Sequence, residues 1–305
     1  MKALLVLAGI TLCSNLTAQN YSTGHASIVL RDSQRGNRKV PVEIFYPERR
    51  GGKSVGKDGS GNERFPVVCF AHAYLMPAEA YVNIQEMLVP EGMILVFPQS
   101  SRGLFPSHQR YAEDIAFVLN EAQKMGEDPS SVLYGITDTV RCLIGHSLGG
   151  GAVFLAANML SGLSAIVALA PLNTHPSAIQ AASSVVVPSL VIAGSDDCIT
   201  PPEKHQLPIY DFLASDEKAY ILITGANHCQ MASENSACST GETMLGCRAG
   251  ISRDKQHEIL KRYLIPWLRF YLKGDQEAGM EFDHLLSTDE SVGFKRMHNI
   301  GSQHQ

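Results

Sequence analysis

Apolar positions along this chain follow two periods, which alternate from segment to segment. Phe65-Pro66-Val67-Val68-Cys69-Phe70-Ala71 is a nearly unbroken apolar run, as a central strand buried on both faces requires. Gly92–Phe97, Ala165–Ala170, Ser189–Ala193 and Ala219–Ile223 have the same character and predict further strands. Between them, His108–Lys124 carries Tyr111, Ile115, Val118, Leu119 and Ala122 at helical spacing. Ala78–Val89 and Lys204–Leu213 read as shorter helices, and Ile251–Leu272 as a long terminal one bent at Pro266. Upstream, Gly24–Leu30 and Lys39–Tyr46 predict two strands around the polar turn Asp32–Arg38, and Glu48–Arg64, rich in glycine and charge, an exposed loop. Strands alternating with helices predict one α/β domain, a mostly parallel central sheet with helices on both faces.

The two ends break the pattern. Met1-Lys2 precedes the apolar run Ala3–Leu12, which is too short to span a bilayer, and Leu16-Thr17-Ala18 offers a cleavage site. Residues 1–18 therefore read as a secretory signal peptide. Leu12 before Cys13 is too large for a lipoprotein cleavage box. Residues 19–274 hold the domain, and 275–305 read as a polar, peripheral or partly disordered extension. With 45% hydrophobic and 18% charged residues, the 305-residue chain can bury one large core. A net charge of -5 gives no nucleic-acid or anionic-membrane signal.

The chemistry centres on Gly145-His146-Ser147-Leu148-Gly149. An apolar strand arrives at this G-x-S-x-G turn, and the helix-like run Ala152–Leu160 leaves it. Such a turn lifts a serine hydroxyl above the sheet edge. Side chains at Gly145 and Gly149 would collide across it. The helix starting at the serine also aims its first amides at any negative charge developing there.

A serine nucleophile needs a base, and the base an orienting acid. Ser189–Ala193 is followed by Gly194-Ser195-Asp196-Asp197, which makes Asp197 the candidate acid and Asp196 its competitor. Ala219–Ile223 leads through Thr224-Gly225-Ala226-Asn227 to His228, the candidate base. His146 packs behind the nucleophile, His72 belongs to the oxyanion region, His205 comes too early, and His257 falls on the terminal helix. The oxyanion needs two backbone amides, assigned by position to Leu148 and Tyr74.

Outside the leader stand six cysteines. Cys69 and Cys142 lie inside apolar runs and read as buried thiols. In an oxidising compartment the others pair. Cys198 follows the candidate acid and Cys229 the candidate base, so a Cys198–Cys229 bridge is expected, with two free thiols or a Cys229–Cys238 bridge as alternatives. Cys238 and Cys247 bracket a short polar loop and are placed to close it. The spacings do not suggest a zinc site.

These residues resemble the α/β-hydrolase superfamily, over about residues 24–272. Leu207-Pro208-Ile209-Tyr210-Asp211 and Gly225-Ala226-Asn227-His228-Cys229 look like bacterial cutinase-like polyester hydrolases, while Phe70–Tyr81 is similar to chlorophyllases and platelet-activating-factor acetylhydrolases; dienelactone hydrolases are also related. The resemblance implies an α/β-hydrolase fold, a Ser147–His228–Asp197 triad and an oxyanion hole at Tyr74 and Leu148. Leu172 follows Ala170-Pro171 where polyester hydrolases usually carry an aromatic residue, which weakens any clamp on a terephthalate-like ring, and Leu148 replaces their usual methionine. Trp267, the single tryptophan, reads as core.

The chain is thus expected to be a secreted, monomeric serine esterase that needs no metal or organic cofactor. It would take small or polymeric esters through an apolar pocket of Tyr74, Leu75, Met76, Leu148 and Leu172, without binding nucleic acid or inserting stably into membranes. The alternatives are a lipid-ester acyl hydrolase and a catalytically silent binding module.

Overall fold

The computed structural model describes residues 21–49 and 63–298. The leader expected over residues 1–18, and residues 50–62 of the expected loop, lie outside the described residues. In chain order the first half forms β1 (Tyr21–Asp32), β2 (Arg38–Arg49), β3 (Phe65–Ala71), α1 (Val82–Leu88), β4 (Ile94–Pro98), α2 (His108–Met125), β5 (Thr137–His146) and α3 (Leu148–Ala157). There follow β6 (Ala165–Leu169), α4 (Ala178–Ala182), β7 (Ser189–Gly194), α5 (Gln206–Phe212), β8 (Lys218–Ile223), α6 (Ser236–Met244), α7 (Arg253–Lys273), α8 (Gln276–Thr288) and β9 (Val292–Met297).

The strands pair in the order β1-β2-β4-β3-β5-β6-β7-β8-β9. From β4 to β8 every neighbouring pair is parallel, and antiparallel strands close both edges. The apolar runs explain the layering. Successive side chains of a strand point to opposite faces, so Val67 and Cys69 pack under α2 and α3, whereas Val68 and Phe70 join the layer of α1, α7 and α8. Trp267 is buried in the latter layer, as expected. α7 runs uninterrupted through Pro266, from a Ser252 cap that accepts the Lys255 N–H to Gly274 at φ 68°. Among the described residues no helix is long and apolar enough to cross a membrane.

The polar extension differs from its sequence reading. Residues 276–297 form α8 and β9, and β9 pairs antiparallel with β8. Ala278, Phe282 and Leu286 recur every four residues, giving α8 a buried stripe that docks on α7. The stripe is narrow and the rest polar, which hides the helix from a reading by average composition.

Candidate active site

β5 and α3 meet at Ser147, which stands at φ 57°, ψ -118°. A positive φ is costly for a residue with a side chain, and surrounding bonds must enforce it. Here the Ser147 N–H donates to the Leu169 carbonyl at 2.9 Å, and its own carbonyl accepts from Gly151 N at 3.0 Å and Leu172 N at 2.9 Å. A Cβ on Gly145 would overlap the Gly149 carbonyl, and one on Gly149 the Ala71 carbonyl, so the turn closes only with glycine at both places. Among the described residues the Ser147 hydroxyl makes no hydrogen bond.

Asp197 and His228 come together from the ends of β7 and β8, with His228 Nδ1 2.8 Å from Asp197 Oδ2. Asp197 Oδ1 accepts the amides of Ile199 at 3.0 Å and Thr200 at 2.8 Å. On Oδ2, the Thr200 hydroxyl and the Gln206 amide each lie at 2.9 Å. Burial pushes the Asp197 carboxyl up, but His228 and the bonds from His228 and Thr200 outweigh it and hold the group below its ordinary value. Asp196, the competitor, instead accepts from the Ser195 hydroxyl at 2.9 Å. The His228 ring packs on that of His146, the residue before Ser147, with centroids 4.8 Å apart. Burial and the neighbouring His228 keep His146 well below its ordinary value, hence neutral. Its Nδ1 lies 3.1 Å from the Tyr81 hydroxyl, which accepts the Ala73 N–H at 2.8 Å. His205 Nδ1 accepts the Asn173 N–H, and His257 sits on α7. No cluster of three or more His, Cys, Asp or Glu side chains among the described residues is arranged to hold a metal.

A cavity of about 520 Å³ opens above Ser147, lined by Tyr74, Leu148 and Leu172 from the expected set. Leu104, Phe105, Pro106, His108, Ile199 and Thr200 complete it. Two pocket expectations change. Met76 is 1% exposed and turns into the core, its sulfur 3.6 Å from the Tyr81 hydroxyl. Leu75, at φ 60°, is not among the residues that line the cavity. Gln206 and the 104–108 wall carry no sequence signal; Thr200, in the Ile199-Thr200-Pro201 run that follows the candidate acid, stands at a spacing that lets it bond the aspartate.

The cysteine pairing also changes. The bridges are Cys198–Cys247 and Cys229–Cys238: the expected Cys198–Cys229 bond is absent, its named alternative Cys229–Cys238 is present, and Cys238 and Cys247 do not close their loop on each other. The loops after β7 and β8 are each tied to the α6 segment rather than to one another, because α6 packs against the turn after His228 and offers one cysteine at each end. Cys69 and Cys142 are buried and free, as expected.

A family model described as PETase, PET hydrolase-like, matches residues 105–277. The chain belongs to the PET hydrolase-like family. This hydrolase is 24% identical to Cutinase 1 of Thermobifida cellulosilytica over 233 residues, 76% of this chain and 73% of the relative. It is 25% identical to Cutinase 2 of the same organism over 255 residues, covering 77% and 86%. It is 27% identical to the bis(hydroxyethyl) terephthalate hydrolase of Streptomyces coelicolor over 134 residues, covering 44% and 35%. The open, mostly parallel sheet with helices on both faces is the α/β-hydrolase fold, and this family member is a carboxylic-ester hydrolase.

Proposed function

We propose that the protein is a serine esterase of cutinase-like type, working through Ser147, His228 and Asp197 on esters with an apolar acyl side. The observation that carries this reading is the 2.8 Å bond between Asp197 and His228, made beside the Ser147 turn. His228 Nε2 takes the Ser147 proton as the hydroxyl oxygen bonds to the ester carbonyl carbon. Catalytic hydrogen bonds often tighten only once substrate is bound, and the unbonded Ser147 hydroxyl fits that behaviour. Asp197 holds the imidazole with Nδ1 protonated and stabilises the imidazolium.

The carbonyl oxygen becomes an oxyanion facing the amides of Tyr74 and Leu148, neither of which has a backbone acceptor among the described residues. Collapse expels the alcohol, which takes the proton from His228 and leaves an acyl-Ser147. Water, deprotonated by the same imidazole, then attacks the acyl carbon and frees the carboxylic acid with Ser147 restored. The acyl group lies against Leu148, Leu172, Ile199 and Phe105. The two disulfides and the leader-like N-terminus support work outside the cytoplasm.

Hydrolysis of p-nitrophenyl butyrate by the wild type and by Ser147→Ala tests the assignment. A loss of a thousandfold or more is expected; equal rates would remove Ser147 from the mechanism. Bis(hydroxyethyl) terephthalate and an insoluble polyester film, with products followed by chromatography, place the substrate range.

A further inference from the structure

The two residues flanking His228 are held by one buried carboxylate that belongs to neither β7 nor β8. Glu242, on α6, is 7% exposed. Its Oε1 accepts the Cys229 N–H at 3.0 Å, and its Oε2 accepts the Asn227 side-chain amide at 2.8 Å. From the other side Gln256, fully buried on α7, accepts the Asn227 N–H at 3.1 Å and donates to the Asn227 carbonyl at 2.9 Å. The helix carrying Glu242 is pinned at both ends: Cys238 is bridged to Cys229, and Cys247, just past the helix, to Cys198. The residue after the candidate base and the residue after the candidate acid are thus both anchored to the element that delivers the carboxylate.

We infer that Glu242 is a positioning residue for His228, fixing through Asn227 and Cys229 the backbone that aims the imidazole at Ser147. This rests on the reading of His228 as the general base. The chemistry calls for a carboxylate. Both partners are donors, and a carboxylate offers a separate acceptor oxygen to each. A glutamine has one acceptor oxygen, so its NH2 group would face either the Cys229 N–H or the Asn227 amide. Turning the Asn227 amide over does not relieve this, because Asn227 Oδ1 already accepts the Gln230 N–H at 3.1 Å. One donor is therefore lost in either arrangement, and the loop is free to shift while fold and cavity remain. Because Glu242 touches neither the cavity nor Ser147, its loss acts on the turnover step rather than on substrate binding.

The test compares Glu242→Gln, Glu242→Asp and His228→Ala with the wild type, all with intact disulfides confirmed by mass and with activity normalised to folded protein. For Glu242→Gln, kcat on p-nitrophenyl butyrate is expected to fall about tenfold, since small misplacements of a catalytic group are costly, with KM changed less than twofold. The downfield Nδ1 proton resonance of His228 is expected to broaden or shift. Glu242→Asp keeps two acceptors on a shorter stem and is expected to recover part of kcat. It also serves as the reporter if the glutamine variant does not fold. A Glu242→Gln protein with wild-type kcat per folded molecule and an unchanged proton resonance overturns the inference. A His228→Ala protein as active as the wild type sinks the base assignment beneath it, whereas an inactive His228→Ala beside a fully active Glu242→Gln sinks this inference alone.

Discussion

The Tyr74 hydroxyl donates to the Leu104 carbonyl at 2.7 Å, tying the loop after β3 to the loop after β4 across the mouth of the cavity. The amide proposed for the oxyanion and the apolar wall of Leu104, Phe105 and Pro106 are therefore parts of one linked rim. Tyr74→Phe leaves the backbone amide in place and removes the tie. A net hydrogen bond of this kind is worth about 1 kcal/mol, so kcat/KM is expected to fall by roughly fivefold, mainly through KM. Steady-state kinetics on butyrate and terephthalate esters checks this; a fall confined to kcat would speak against it.

Phe105 is 96% exposed on that rim, and a ring so open adds nothing to the fold. It lines the cavity together with Leu104 and Pro106, so substrate is the partner that would cover it. Phe105→Ala is expected to shift stability by less than about 0.5 kcal/mol while raising KM for an aromatic diester several-fold and leaving p-nitrophenyl acetate nearly unaffected. Thermal unfolding and paired kinetics on the two esters provide the comparison.

Gln206 is fully buried and spends its side-chain amide on Asp197 Oδ2 at 2.9 Å and on the Thr200 carbonyl at 2.7 Å. Gln206→Leu leaves the carboxylate short of one donor at a site where His228 must be held. Losing the partner of a buried polar group costs about 1–3 kcal/mol, and kcat is expected to drop with it. Denaturant unfolding beside kcat on the folded variant separates the two effects.

Asp289 gives a pH signature far from the site. Burial pushes its carboxyl up, but the Ser291 hydroxyl and amide and the Arg262 guanidinium, 2.6 Å away, outweigh this and bring it down to about 2 from an ordinary 3.8. The group is charged in the fold, so the stability it contributes is complete above its unfolded value and disappears as pH falls through the folded one. Asp289→Asn is expected to be less stable than the wild type at pH 7, with the gap closing between about pH 4 and pH 2. Urea unfolding at a series of pH values measures it; a gap constant down to pH 2 would contradict the assignment.

The Ser147 turn and the pairing of Asp197 with His228 were legible because each is written in a short local pattern. Ser147 needs glycines where backbones touch, and Asp197 and His228 each stand within a few residues of a buried strand end. What stayed hidden depends on docking. Glu242 lies in a segment whose composition is that of a loop, and its role exists only because α6 folds over the turn after β8. The same docking sets the cysteine partners, which neighbouring positions in the chain cannot specify. Met76 reads as a pocket residue by its place in the chain, yet its side chain is buried in the core against Tyr81. α8 and β9 were obscured by polar residues around a three-residue stripe.

Cys69 and Cys142 lie on opposite faces of the sheet, one beneath α2 and α3, the other beneath α1 and α7, and burial raises both thiols far above their ordinary value. Neither can react as a thiolate while the layers stay closed. The molecule thus carries two native probes of its own opening, one per layer. The rates at which an alkylating dye tags them report whether the helical coats lift separately or the sheet is laid bare at once.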